Sequence, residues 1–509
     1  MKGNILFMND DAHDLVSADD SDYKIAKGPF EPTWQSLQSF QCPEWFRDAK
    51  LGFWAHWGPQ AVPMFGDWYA RNMYLEGSDQ YRYHWRAYGH PSKFGFKDIC
   101  ALWKAEKFDP DALMQQYQQA GARYFVALAV HHDNFDCWDS KHHAWNSVKI
   151  GPQKDIVGLW KRAADRYGLH FGVTEHLARS YSWFNTNKLA DKAGPYAGVP
   201  YDGSNPEYAD FYFPPHGDIT FAYPANPPES WKKQWFLRVR DLIERYDPDL
   251  LYTDGAVPFG EVGRRIIAHF YNWNAKNHAG KCEAVYTLKH YGGEYEHNHG
   301  EYVDGVGVLD VECGVVPGVL PKPWQTDTCI GGWFYDRRAI YKTAADIVHM
   351  LVDIVSKNGN LLLNFPLRPD GTLDEEAIHV MQGIGRWMAI NGVAIYGTRP
   401  WNVFGEGPTQ TGGGAFGEMS QPWSAKDFRF TCKGDTVYAF QMSWPDNRQV
   451  VITSMGLTDS LCVKEVSLVG YDGIISWSQL ANGLHIDLPP EPPCEAVHAF
   501  SIRLSDAAR

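Results

Sequence analysis

Hydrophobic and polar positions along the middle of the chain alternate between two periods. RYFVALAV (123–130) is a run of apolar residues and follows DALMQQYQQAG, whose apolar positions recur at helical spacing. LHFGVTEH (169–176) follows the helix-period DIVGLWKRAADRYG, and DPDLLYTDG (247–255) follows SWKKQWFLRVRDLIERY. CEAVYTL (282–288) comes after GEVGRRIIAHFYNWNAKN, and NLLLNFP (360–366) after AIYKTAADIVHMLVDIVSKNG. Short apolar strands separated by helices predict a parallel sheet with crossover helices, because parallel strands are buried on both faces. Sustained over roughly 350 residues, the unit predicts an α/β fold with a (β/α)8-like barrel rather than an open sheet.

Past TRPW (398–401) the period changes. A Gly-rich stretch, GEGPTQTGGGAFGE, reads as a linker and leads to DFRFTCKG, DTVYAFQMSW, RQVVITSMG, SLCVKEVSLVG, IISWSQLANG, LHIDLP and AVHAFSIRL. Alternation broken by KGD, PDN, YDG and ANG turns predicts a C-terminal antiparallel β-sandwich. The expected organisation is a loose polar arm at 1–30, a barrel domain at 31–397 and a sandwich at 398–509. In a barrel, the C-terminal ends of the strands build the site. Polar residues collect at several of those ends: His131, His132 and Asp133; Glu175 and His176; Thr253 and Asp254; Asn364.

Composition narrows the partner. A net charge of −14, from 47 basic and 61 acidic residues, argues against nucleic acid and anionic membranes, since no basic patch or helix stands out. Aromatics form 15% of the chain, including 21 Trp, and offer flat faces suited to the C–H side of a sugar. The nine cysteines are scattered and never spaced CxxC, so neither a disulfide framework nor a structural zinc is expected. No apolar run reaches a membrane span, and the N-terminal residues lack a signal-peptide pattern, so a cytoplasmic protein is expected. Whether it forms a homo-oligomer is left open by the sequence.

Four segments carry candidate chemistry. In YDPDLLYTDGAVPFG, Asp254 ends an apolar strand; a DG pair can be a simple turn, or a carboxylate placed as nucleophile, base or metal ligand. HHDNFD (131–136) admits a metal site, a structural role or a wall of substrate-binding groups. Along a continuing strand only His131 and Asp133 share a face, which weighs against metal. FWAHWGPQAVPMFGDWYARNMY gathers His56, Trp57, Asp67, Trp68, Tyr69 and Arg71, either as an aromatic cover of the barrel or as donors and indoles for a monosaccharide. GVTEHLARSYSWF adds Glu175, His176 and Trp183. Between 294 and 327 lie Glu294, Glu296, Glu301, Asp304, Asp310, Glu312 and Asp327, too many acids for pattern alone to choose a proton donor.

The ordered motifs WFRDAKLGFWAHWGPQAVP, DWYARNMY, ARYFVALAVHHDNFDCWDS, DPDLLYTDG, PWQTDTCIGGWFYD and LVDIVSKNGNLLLNFPLRPDGTL, with NGVAIYGTRPW, closely resemble those of the α-L-fucosidases of glycoside hydrolase family 29. The resemblance spans about residues 30–400. It implies a retaining exo-glycosidase that hydrolyses α-L-fucosides of fucosylated glycans, without metal or other cofactor. Asp254 then matches the nucleophile, and His56, His131 and His132 match fucose-binding histidines. Asp67 and Trp68 stand where the family has Glu-Trp, so the acid is one methylene shorter. Glu312, in LDVECGVVPG, matches the acid/base, with Cys313 in place of the usual Arg. Trp333 is expected beside the sugar methyl group, with Glu175 and His176 as further binding residues. Three alternatives stay open: α-L-galactosidase-type activity in the same pocket, a metal-dependent hydrolase, and a non-catalytic carbohydrate-binding protein.

Overall fold

The computed structural model describes residues 23–290, 299–418 and 421–505. Eight parallel strands close into a barrel in sequence order: β1 Leu51–Ala55, β2 Tyr124–Val130, β3 His170–Glu175, β4 Leu250–Thr253, β5 Val285–Lys289, β6 Val308–Asp310, β7 Trp324–Cys329 and β8 Gly359–Asn364. β1 pairs with β8 through Leu51↔Leu361, which closes the ring. Five strands fall on the predicted runs. Three do not carry a readable signal: β1 lies in the aromatic LGFWA, β6 has only three residues, and β7 is the polar WQTDTC. Polar side chains can occupy β7 because they bond inside the barrel: Tyr124 Oη donates to Gln325 Oε1 (2.9 Å) and Tyr252 Oη to Asp327 Oδ2 (2.9 Å).

The helices alternate with the strands as their apolar stripes require. The helix Ile156–Tyr167 buries Ile156, Val157, Trp160, Ala163 and Ala164; the Asp155 side chain caps its N-terminus by accepting from Gly158 N, and left-handed Gly168 ends it. The helix Glu229–Tyr246 buries Arg238, which donates to both Asp136 carboxylate oxygens and to Asn134 Oδ1 (2.6 Å). A buried pair of this kind fixes the loop after β2 at the cost of desolvation.

The N-terminal arm is not loose where it is described. Tyr23 Oη donates to Glu229, Ala26 N to His269 Nδ1 (2.9 Å), and Phe30 N to Asn272 Oδ1 (2.9 Å), so residues 23–30 are tied to two barrel helices. Residues 1–22 of the expected arm, and Glu294 and Glu296, lie outside the described residues.

Beyond the barrel, β9 Arg399–Glu406, β10 Phe428–Lys433, β11 Thr436–Gln441, β13 Val463–Leu468 and β16 His498–Leu504 form a five-stranded sheet ordered β13-β16-β11-β10-β9. β12 Gln449–Ile452, β15 Gly483–Asp487 and β14 Trp477–Leu480 form the second sheet. Phe428, Phe430, Ile452, Leu484, Ile486 and Phe500 fill the space between them. Tyr438, Phe440 and Met442 on the outer face join the barrel core instead. Asp353, on the barrel helix Ala344–Ser356, takes Arg429 of β10 on one oxygen (2.5 Å) and Lys357 on the other (2.8 Å). Lys357 also donates to Thr411 Oγ1 (2.8 Å), which holds the Gly-rich stretch onto the barrel. That stretch is therefore packed structure and not a free linker.

Candidate active site

The C-terminal strand ends surround a cavity of about 620 Å³. β1 ends at Ala55, and His56 follows with its backbone N donating to Asn364 Oδ1 (2.8 Å) at the end of β8. The same Asn364 amide donates to the Gly332 and Trp333 carbonyls (3.0 and 2.9 Å) and so fixes the loop carrying Trp333. β2 ends at Val130, after a register shift against β3, and the chain turns at once. Freed from strand alternation, His131 and His132 both face the cavity, their rings 4.4 Å apart. Gln60 Nε2 lies 2.7 Å from His131 Nδ1, and His132 Nδ1 lies 2.7 Å from the His176 carbonyl, so both rings are held.

The acids of the same motif have other work. Asp133 accepts from Phe135 N (3.2 Å) and Asp136 is locked to Arg238, so HHDNFD divides into two pocket histidines and two structural aspartates.

Asp254 follows β4 directly. The next residue must be glycine: its φ is +146°, and a Cβ there would sit 2.3 Å from Tyr223 Oη. The sharp turn aims the Asp254 carboxylate inward, where Lys289 Nζ lies 2.9 Å from Oδ1 and Arg179 Nη2 3.3 Å from Oδ2. His132 Nε2 and His176 Nδ1 approach Oδ2 to 3.3 and 3.6 Å. Burial opposes ionisation of Asp254, but Arg179 and Lys289, with the two histidines, outweigh it. Its carboxyl sits well below the usual range.

Glu312 lies two residues past β6 and opposes Asp254 across Lys289, whose Nζ is 2.5 Å from Glu312 Oε2. One ammonium touching both carboxylates limits the contacting oxygens to a separation of at most about 5.4 Å, too close for the ~6.5–9.5 Å of an inverting pair and compatible with the ~5–5.5 Å of a retaining one. Burial raises the Glu312 pKa to about 7; Lys289 opposes the rise, and the Asp327 and Asp254 charges add to it. The two carboxyl groups are thus driven in opposite directions, one to stay ionised and one to hold a proton. Lys289 is also 3.7 Å from Asp327 Oδ2. Deeper in the barrel, Asp310 is pushed well above the usual carboxyl range by burial and by Asp327 beside it.

The remaining wall is unusually rich in buried polar atoms that have no hydrogen-bond partner among the described residues. Both ring nitrogens of His56 and of His176, Trp54 Nε1 and Asp67 Oδ1 are of this kind. Groups left unpaired at such cost mark a place where a polyhydroxylated ligand supplies the partners. Trp333 packs 5.2 Å from Trp54 and 5.6 Å from His56, and Trp68 stands at the rim against Phe221. Asp67 is 3.9 Å from His131 Nε2, beyond hydrogen-bond reach, and burial raises its pKa.

Two expectations fail. Glu175 does not line the cavity: it is the last residue of β3 and points opposite to His176. Its oxygens accept from Thr253 Oγ1 (2.9 Å), Trp235 Nε1 (3.1 Å) and Leu177 N (3.1 Å), which anchors the strand end from behind. Trp57 likewise faces away, donating to the Arg368 carbonyl and packing edge-on against Trp103. Trp183 backs His131 and His132 from outside the cavity. The groups that the sequence did not single out are Trp54, Arg179, Phe221, Tyr252, Lys289, His299 and the Gly414–Phe416 segment. Lys289 had a readable signal, since it is the polar residue that ends the CEAVYTL run.

The strand argument against a metal fails once the strand has ended. His131, His132 and His176 bring one ring nitrogen each within 4.8 Å of one another, and His56, His131 and a carboxylate oxygen of Asp67 form a second group of the same spacing. Burial lowers the pKa of all four histidines, so their neutral rings could serve as ligands. Two of these rings already face Asp254, through His132 Nε2 at 3.3 Å and His176 Nδ1 at 3.6 Å.

A parallel barrel whose strand ends bring together an ionised carboxylate, a proton-holding carboxyl group and a polar wall defines the chain as one of the glycoside hydrolase class. The alpha-L-fucosidase family model matches residues 18–393 and the alpha-L-fucosidase C-terminal domain model residues 422–505. The chain therefore belongs to the α-L-fucosidase family. Tissue alpha-L-fucosidase of Homo sapiens is 28% identical over 487 residues, covering 94% of this chain and 92% of that protein. Alpha-L-fucosidase of Branchiostoma floridae is 26% identical over 483 residues, covering 92% and 94%. In fold, the chain is similar to Thermotoga maritima alpha-fucosidase solved in complex with fucose, with a TM-score of 0.69 at 24% identity, over 93% of this chain and 100% of that one.

Proposed function

We propose that the protein is a retaining exo-α-L-fucosidase that releases L-fucose from fucosylated glycans. The observation that carries this reading is the buried pair Asp254 and Glu312, bridged by Lys289. Asp254 attacks the anomeric carbon while Glu312 donates its proton to the departing oxygen, giving a covalent glycosyl-enzyme. Glu312 then takes a proton from water, whose oxygen displaces Asp254 and restores the original configuration.

Lys289 has a part in both steps. As Asp254 loses its negative charge to the new bond, Glu312 gains one by giving up its proton, and the ammonium stays paired throughout. The unpaired polar atoms of His56, His176, Trp54 and Asp67, together with His131 and His132, receive the sugar hydroxyls, while Trp68 and Trp333 cover its apolar face. No step needs a metal, nucleic acid or membrane partner.

The test is Asp254→Gly. Hydrolysis of an aryl α-L-fucoside should fall by several orders of magnitude, and azide should restore turnover by entering the space the carboxylate leaves. Near-normal activity of the variant would refute the assignment. Turnover of the wild-type enzyme should be unaffected by EDTA; loss that zinc restores would favour a metal at His131, His132 and His176. Equal kcat/KM on the α-L-galactoside would transfer the reading to that sugar.

A further inference from the structure

The Gly-rich stretch of the C-terminal domain places Phe416 at the active-site rim, where it is 66% exposed while lining the cavity. Single exposed phenylalanines are ordinary, but this one sits where the backbone resists it. Its φ is +56°, in the left-handed region that glycine adopts freely and side chains do not. Its neighbours Gly412, Gly413, Gly414 and Gly417 show that glycine is freely used in this stretch, yet the left-handed position carries a benzyl group. The conformation is held by backbone bonds: Phe416 N donates to the Glu312 carbonyl (2.7 Å), Gly414 N to Val315 O (2.8 Å) and Glu418 N to Cys313 O (2.9 Å). The ring is therefore fixed to the same short segment that carries the proton donor.

A second exposed ring lines the cavity from the barrel domain. Phe221, 56% exposed, comes from the long loop after β3, packs 4.6 Å from Trp68 and lies under the Arg71 guanidinium at 5.4 Å. The buried part of the cavity is lined by histidines and charges with Trp54 and Tyr252, and the exposed rings Phe221 and Phe416 are at the mouth. A ligand that enters fucose-first leaves its other end among these rings.

On the fucosidase reading, we infer that Phe416, with Phe221, forms the aglycone platform of the enzyme and selects for leaving groups that are themselves sugars. The group leaving on the oxygen protonated by Glu312 must pass Phe416, whose backbone is bonded to Glu312. The C–H face of a pyranose stacks on a flat ring of this kind. Phe416 is thus a specificity-determining residue supplied by the domain that does not carry the carboxylates.

The experiment compares kcat/KM for a fucosylated disaccharide with kcat/KM for α-L-fucosyl fluoride, whose leaving group has no ring, in wild type, Phe416→Gly and Phe416→Trp. Glycine suits the backbone, so the fold is retained. The disaccharide-to-fluoride ratio should fall about tenfold in Phe416→Gly and recover in Phe416→Trp. Phe221→Ala should lower the same ratio independently. A ratio unchanged by Phe416→Gly, or one that Phe416→Trp leaves low, overturns the platform. A wild-type enzyme that hydrolyses neither substrate removes the fucosidase reading itself, and the platform with it.

Discussion

Replacing Lys289 by Met keeps the length and apolar stem of the side chain but removes the cation between Asp254 and Glu312. The Lys289 side chain is 2% exposed, and its ammonium lies 2.9 Å from one carboxylate and 2.5 Å from the other. At an effective dielectric of about 20, each pair is worth at most roughly 6–7 kcal/mol, and breaking a buried pair typically costs about 3–5 kcal/mol. Lys289 lowers the pKa of both acids, so its loss moves both upward. One pKa unit corresponds to about 1.4 kcal/mol, so even a quarter of the pair energy shifts Glu312 by roughly one unit.

Glu312 must be protonated for the first step, so the alkaline limb of kcat/KM, expected at about 7, should rise by at least about one unit in Lys289→Met. The acid limb, set by Asp254, should rise less, because Arg179 remains. The assay is kcat/KM for an aryl α-L-fucoside from pH 4 to 10, with stability measured by urea unfolding at each end. Stability should fall by about 3–5 kcal/mol at neutral pH, and by less in acid as the carboxyls take up protons. An alkaline limb that stays in place or moves down would refute the bridging role.

Two further outcomes follow from the same geometry. Glu312→Ala should lose far more rate on a natural fucoside than on one with an activated leaving group, since only the former needs the proton; equal losses measured on both would point to another acid. Glu175→Ala leaves Thr253, Trp235 and Leu177 donors without their acceptor and should cost about 2–4 kcal/mol in urea unfolding, while a change confined to KM would return Glu175 to the sugar site.

The period of the hydrophobic pattern was enough to specify an α/β barrel followed by a sandwich, because burial on both faces of parallel strands leaves an apolar run that is visible without knowing its neighbours. β2, β3, β4, β5 and β8 were legible for that reason. β6 was not, because it has only three residues, and β7 was not, because its polar Gln325 and Asp327 are bonded to Tyr124 and Tyr252 on other strands. Candidate chemistry was legible where a polar residue ends a strand, as at His131, His132, His176 and Asp254. Which face such a residue takes was not: Glu175 and His176 are adjacent in sequence and point to opposite sides of the barrel wall. Lys289 was visible as a strand end, but its place between two acids depends on the closing of the ring. Phe416 lies more than 150 residues after Asp254 and reaches the same cavity only because the second domain packs on the barrel. Sequence determines which residues can be buried or polar at a given turn; only the tertiary structure decides which charges become neighbours, because electrostatic coupling depends on distances through space.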